Sequence, residues 1–336
     1  MKSMEVELTL FSEKVSEEPE TSTKPLLKGY LSSRLATTAR LANHIFELVS
    51  IYGMSKTLNR RPAIFVEDSK YQKLIDGIQK IFPGLLEKFT ILKEKVPTDA
   101  DQFLLGDICC KFDNPDKLNN RTARHLHLTG HFYQSWRYFD EFQSEILGFV
   151  KQLNIDFLLL PKSSNDVFVT CIHVRRTDFV DGEHHSSNVT FTQKALHFIE
   201  NKEKSKTPNR KMLTVIMGDD PSFEEKMFPN TIRAGKGTPV LNTTKVFVSE
   251  NTAQNDLIYS RHNCDATLIT APSSTFGWWL GYLSKGQSVY YQDIRSTNDV
   301  NYKKGHMDPD DYFPPRWTSI NLDGTSGKIV VVGKTS

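Results

Sequence analysis

At 336 residues, with 38% hydrophobic and 24% charged side chains, the chain has the composition of a globular protein long enough for two domains, and neither disorder nor a fibre is indicated. Its 42 basic and 40 acidic residues leave a net charge of +2. That balance excludes a nucleic-acid stripe or a membrane-surface patch, so any anion has to be recognised locally. No stretch approaches the roughly 20 apolar residues of a membrane span, and the first residues lack a signal-peptide core, so the chain reads as soluble.

Residues 1–27 carry Glu13, Glu17, Glu18 and Glu20 among Ser, Thr and Pro, and read as a flexible tail. Leu41, Ile45, Leu48, Val49 and Tyr52 then repeat at helical spacing behind Thr37 and Thr38, predicting a capped helix over 39–58 with Arg40 and Asn43 in its first turn. Unpaired backbone N–H groups there favour an anion; ordinary capping and solvation explain the same two residues. A strand at 62–66, a helix over 71–86 and a strand at 89–92 follow, then a polar, irregular region from 97 to 124. A strand from Leu126 opens into Gly130-His131-Phe132-Tyr133-Gln134-Ser135-Trp136-Arg137-Tyr138-Phe139, after which helical spacing resumes. His131, Gln134 and Trp136 among aromatic rings suit a sugar face and its hydroxyls, and a core aromatic cluster accounts for the composition equally well.

A loop at 154–165 marks the expected domain boundary. Beyond it Val169, Ile172 and Val174 read as a buried strand, with His173, Arg175, Arg176 and Asp178 at its end. Ligands of open α/β sheets bind outside the carboxyl ends of the strands. Two adjacent guanidiniums suit a phosphate or diphosphate, the alternative being a surface ion pair with Asp178. An acidic, His-rich stretch from 179 to 185 and a helix over 192–202 lead to a strand at 212–217 that ends in Gly218-Asp219-Asp220. A short helix at 223–228, a strand at 246–248, a helix from Asn255-Asp256-Leu257 to about Asn263 and a strand at 267–270 come next.

Ser273-Ser274-Thr275-Phe276 then precedes an apolar helix, placing free N–H groups, hydroxyls and a positive dipole end together. This is a second phosphate-shaped site, or simply an N-cap. A strand at 287–291 is expected to close the sheet, leaving 296–336 as an extension with one late strand at 329–332. Cys109, Cys110, Cys171 and Cys264 lack metal-site spacing, and Cys171 reads as a small buried hydrophobe. Asn120, Asn188 and Asn242 open glycosylation triplets, relevant only in the secretory pathway. P-loop, dinucleotide-binding and Gly-x-Ser-x-Gly motifs are absent.

Taken in order, Arg40-Leu41-Ala42-Asn43-His44-Ile45-Phe46, the Gly130 to Phe139 segment, His173-Val174-Arg175-Arg176-Thr177-Asp178, Gly218-Asp219-Asp220 and Ser273-Ser274-Thr275-Phe276-Gly277-Trp278-Trp279 resemble the galactoside 2-α-L-fucosyltransferase family, glycosyltransferase family 11, in its divergent nematode form. The His-x-Arg-Arg-x-Asp element is also similar to that of α-1,6- and protein O-fucosyltransferases. The resemblance implies a GT-B-like α/β fold: two Rossmann-like domains facing across a cleft, at 28–160 on the acceptor side and 161–295 on the GDP-fucose side. It implies inverting transfer of fucose from GDP-fucose to galactose O2 of a glycan, without a metal or other cofactor, in the Golgi apparatus behind an anchor not visible here. A fucosyltransferase of another linkage and an inactive glycan-binding relative are the alternatives.

On this reading Arg175 holds the diphosphate, Arg176 and Asp178 assist, and Ser273, Ser274, Thr275 and Phe276 supply further donors. Asp219, Asp220 and Asp256 are candidates for guanine or ribose, Arg40 and Asn43 lie on the donor side, and His173 orders the loop. Glu183 is the expected catalytic base, with Asp178 and Asp181 behind it. Ala39 and Ala42 stand where the family has glycine and His44 where it has Gln, which narrows the cleft.

Overall fold

The computed structural model describes residues 27–151, 155–235, 241 and 243–333, and sorts their strands into two sheets. The tail expected at 1–27 lies, but for Leu27, outside the described residues, as does Asn242. The first sheet is parallel, in the order β3-β2-β1-β5-β4, from β1 (Tyr30–Ser33), β2 (Arg61–Phe65), β3 (Thr90–Leu92), β4 (Asp101–Phe103) and β5 (His125–Leu128). Its central strand was not expected, because Tyr30-Leu31-Ser32-Ser33 has no alternation to read. The two serines are tolerated at the centre because Ser32 Oγ meets His127 Nδ1 at 2.9 Å and Ser33 Oγ meets the Tyr133 hydroxyl at 2.6 Å. Likewise β4 falls within the region expected to be irregular.

The second sheet has the order β13-β12-β11-β10-β6-β7-β9-β8. It comprises β6 (Val167–His173), β7 (Lys211–Met217), β8 (Thr231–Arg233), β9 (Val246–Val248), β10 (Ala266–Ile269), β11 (Ser288–Gln292), β12 (Thr318–Leu322) and β13 (Ile329–Val331). All pairs are parallel except β12 with β13. The sheet therefore does not close at β11: Tyr290 pairs with Thr318, and two more strands from the supposed extension complete it. Between β11 and β12 the chain runs back over the first unit, where Phe112 N–H donates to Asp311 Oδ2 at 2.9 Å, Ser135 Oγ to Asp311 O at 2.6 Å, and Trp136 Nε1 to Asp310 O at 3.0 Å.

The α-helices are α1 (Leu41–Thr57), α2 (Ser69–Gln79), α3 (Pro83–Leu86), α4 (Gln143–Gly148), α5 (Thr177–Asp181), α6 (Val189–Lys206), α7 (Pro221–Met227), α8 (Ala253–Asn263), α9 (Thr275–Leu283), α10 (Val300–Lys303) and α11 (Pro309–Tyr312). The helix expected over 71–86 is two helices, since Pro83 opens a new one. Arg40, not a threonine, is the N-cap residue of α1, and no side chain caps it. Both α1 and α9 are buried over nearly their whole length, as befits helices apolar on all sides. They pack together through Phe46, whose ring centroid lies 4.5 Å from that of Trp278 and 5.0 Å from that of Trp279. A hydrophobic cluster thus runs through both units, from Leu31 to Trp317, and a second one, with Phe168, Ile172 and Ile216, lies within the second unit.

Cys171 is not a lone hydrophobe: it is disulfide-bonded to Cys264, with Cα atoms 5.5 Å apart across a sequence separation of 93. The bond follows from topology, because Cys264 ends α8 just before β10, which lies beside β6. The carboxyl ends of β1, β6, β7 and β10 all lead into one cleft between the units, the GT-B-like arrangement that the resemblance implied.

Candidate functional site

A cavity of about 720 Å³ lies in that cleft. The first unit contributes Ala39, Arg40, Asn43, Cys109, Phe132 and Gln134; the second contributes Arg175, Asp178 and Asp219 at strand ends and the run from Ser273 to Phe276. Arg175, immediately beyond β6, has its backbone N–H on Ser187 Oγ at 2.9 Å. Its guanidinium bridges Asp178 (2.7 Å) and Asp219 (3.2 Å), and Asp178 takes a second guanidinium from Arg40 at 3.1 Å. Arg40 belongs to the first unit and Asp178 to the second, so this ion pair spans the cleft.

Ser274 caps α9, accepting from Gly277 N–H, and its hydroxyl lies 3.2 Å from His173 Nε2. Burial pushes His173 down to about 4, against the pull of Asp219, so the ring is neutral and serves to position Ser274. Gly277 is required here because a Cβ would stand 2.6 Å from His173 Nδ1. Asp256, on α8, lines the cavity and is pushed up to about 7 by burial, despite hydrogen bonds from Ser249 and Asn251. Gln134 donates to Asn43 Oδ1 at 2.9 Å and accepts from Cys110 Sγ at 3.2 Å, which fixes the first-unit wall.

Several expected residues lie elsewhere. Arg176 does not line this cavity: its guanidinium donates to Ser187 O at 2.9 Å, sits 3.6 Å from Asp220 and stacks over Phe223 at 4.1 Å. It braces the loop, and Asp220 is the N-cap of α7, accepting from Phe223 N–H at 3.1 Å. Glu183 lines a neighbouring groove of about 670 Å³ with Lys303 and Lys304. The chain turns at that point, since α5 ends at Gly182, Glu183 takes φ +60° and its carbonyl accepts from Val300 N–H at 3.1 Å. Asp181 is exposed and lines neither cavity nor groove. His131 is exposed outside the cavity, and Trp136 fastens the C-terminal segment. Of the aromatic stretch, Phe132 and Gln134 line the cavity while Tyr133, Tyr138 and Phe139 are core, so each reading holds for part of it.

Residues not foreseen complete the site. Glu47 is fully buried on α1 and accepts the N–H groups of Ala36 and Phe132, joining two loops of the first unit. A single carboxylate inside an otherwise apolar helix was the available signal. Asn251 and His184 also line the cavity, and Asp299, completely buried, accepts from Ser273 Oγ at 2.6 Å. Asn120 and Asn188 are both exposed, the latter capping α6 through Phe191 N–H. Among the described residues no three His, Cys, Asp or Glu side chains are grouped as metal ligands, and no helix is long and apolar enough to cross a membrane.

Two α/β units, their sheets parallel but for β12 with β13, and a charged cleft between their strand ends make up a GT-B-like fold. The family described as glycosyl transferase family 11 matches residues 30–321, and the chain belongs to it. It is 62% identical over 334 residues to a provisionally named glycosyltransferase of Caenorhabditis elegans, covering 99% of this chain and 90% of that one. It is 33% identical over 310 residues to a galactoside 2-alpha-L-fucosyltransferase of the same organism, covering 86% and 76%. A solved structure of POFUT1 in complex with GDP-fucose matches with a TM-score of 0.45 at 12% identity, covering 80% of this chain and 98% of that one.

Proposed function

We propose that this chain is an inverting, metal-independent fucosyltransferase that moves L-fucose from GDP-fucose to O2 of a terminal galactoside on a glycan. The carrying observation is that Arg175 and the N-terminal end of α9, one hundred residues apart in sequence, face the same cavity. Charge accumulates on the diphosphate as the fucosyl bond breaks. A guanidinium plus hydroxyl and N–H donors at a helix start stabilise that charge increasingly toward the transition state, the service a metal performs in other transferases. Asp219 and Asp256 are the candidates for guanine or ribose, Arg40 and Asn43 for the donor side, and Gln134 with Phe132 for the acceptor side. The relatives named as galactoside 2-alpha-L-fucosyltransferases support the linkage. The first unit takes the acceptor and the second, completed by β12 and β13, takes the donor. The exposed Asn120 and Asn188 triplets fit work in the Golgi lumen.

The test is incubation of the purified chain with GDP-fucose and a panel of β-galactosides, with and without chelator. Fucose on galactose O2 that survives chelation supports the reading. Transfer to another position assigns another linkage, and donor binding without product on any acceptor identifies an inactive glycan-binding relative, for which Ala39 and Ala42 in the cavity wall are the motivating feature.

A further inference from the structure

An inverting transfer has to take a proton from the attacking hydroxyl. Asp178 faces the cavity but is held by two guanidiniums, at 3.1 and 2.7 Å. Glu183 lines the neighbouring groove. His184, the next residue, lines both that groove and the cavity, with its ring 4.7 Å from that of Phe179. Its Nδ1 is buried and lies 3.5 Å from Asp299 Oδ2, which leaves Nε2 as the nitrogen available to a ligand.

Asp299 is arranged to hold an imidazole that becomes charged. It is 0% exposed, and Oδ2 accepts from Ser273 Oγ at 2.6 Å and from His185 N–H at 2.9 Å, while Oδ1 accepts from Asn301 N–H at 3.0 Å. All three donors are neutral, and among the described residues neither Lys nor Arg forms an ion pair with it. A buried carboxylate facing one ring nitrogen is the third group that orients a histidine base. Burial tends to raise its pKa, yet the contact with His184 and the bonds from Ser273 and His185 hold it below the usual carboxylate value.

We propose that His184 is the general base of the transfer and that Asp299 is its positioning residue, an inference that rests on the fucosyl-transfer reading above. As the acceptor oxygen bonds to the anomeric carbon, its proton passes to His184 Nε2. The bond from that carbon to the β-phosphate oxygen breaks, and its electron pair leaves on GDP. The carboxylate that steadies the base also grips Ser273 on the phosphate side, so one buried anchor sets the spacing between proton acceptor and leaving group. A separation of 3.5 Å suits a site without substrate, where catalytic hydrogen bonds are long and tighten on binding.

The experiment uses the whole chain, GDP-fucose and a β-galactoside acceptor. His184→Ala and His184→Gln should lose about 10²- to 10⁴-fold in kcat, keep GDP-fucose affinity by calorimetry, and in the Ala case recover part of the turnover with added imidazole. Asp299→Asn should lower kcat more than it raises KM, and should cost little further when added to His184→Ala, a non-additivity that loss of structure alone does not produce. A His184→Gln protein that keeps full turnover while Glu183→Gln loses it overturns the assignment. So does loss of donor affinity together with turnover. A wild-type chain that makes no product on any acceptor overturns the transfer reading itself.

Discussion

Glu47 is the charge that α1 carries into the core, and its protonation should set how firmly the first-unit wall of the cavity is held. It accepts Ala36 N–H through both oxygens, at 3.1 and 3.2 Å, and Phe132 N–H at 3.1 Å, where Phe132 sits at φ +67°. Burial pushes it from 4.5 up to about 7, although both backbone bonds pull the other way. A carboxyl raised on folding contributes stability that is complete below its unfolded value, near 4.5, and is lost as pH rises through about 7. At about 1.4 kcal/mol for each pH unit between the two values, the swing is about 3 kcal/mol, most of it between about pH 5 and about pH 8. Glu47→Gln keeps an acceptor for the loops and cannot ionise. Urea unfolding of both proteins across that range should show the wild type losing about 2 to 3 kcal/mol relative to the variant. A difference that stays flat with pH refutes the reasoning, since the carboxyl is then ionised throughout.

Arg175→Ala should lose donor affinity and turnover together, about 10²-fold in kcat/KM for charged hydrogen bonds worth about 1.5–3 kcal/mol each, with the circular dichroism spectrum unchanged; tight donor binding by the variant would remove Arg175 from the diphosphate site. Replacing Cys171 and Cys264 by Ala opens a loop of 93 residues and should cost about 4–5 kcal/mol on the chain-entropy account, read as a lower urea midpoint that reductant no longer shifts. Gly277→Ala puts a methyl group 2.6 Å from His173 Nδ1 and forces the buried ring away from Ser274, so kcat should fall by about 10²-fold and the protein should lose about 1–3 kcal/mol of stability, read as a lower urea midpoint.

The parts of the site legible in the sequence are those where the strand ends and the helix start are written in consecutive residues. Arg175 directly follows a β-branched strand, and Ser273 to Phe276 stand between a buried strand and an apolar helix, so position and chemistry could be read together. Where Glu183 lies was not legible, because spacing along the chain carries no turn geometry: at a left-handed residue it lines the neighbouring groove, while His184 reaches the cavity as well. Trp136 and His131 had the composition of sugar contacts, but which aromatic faces a cavity is decided by packing against residues 310 and 311. The disulfide, β1 and β12 were illegible for one reason. Each depends on a neighbour in the parallel sheet tens of residues distant, and a short strand with Ser or Asn in it shows its identity only once that neighbour is present.

The segment after β11 has a consequence for the order in which the protein is made. It supplies Asp299, clamps Asp311 onto Phe112, Ser135 and Arg137, and ends as the two outer strands of the second sheet. During synthesis the strands that bear Arg175 and Asp219 emerge and can pair well before this segment does. The emerging polypeptide therefore holds most of its core before Ser273 has an anchor or the first-unit wall a clasp. The two walls of the cavity are therefore braced together only as the final few dozen residues dock, so the shape of the cleft is a property of the whole chain rather than of either half.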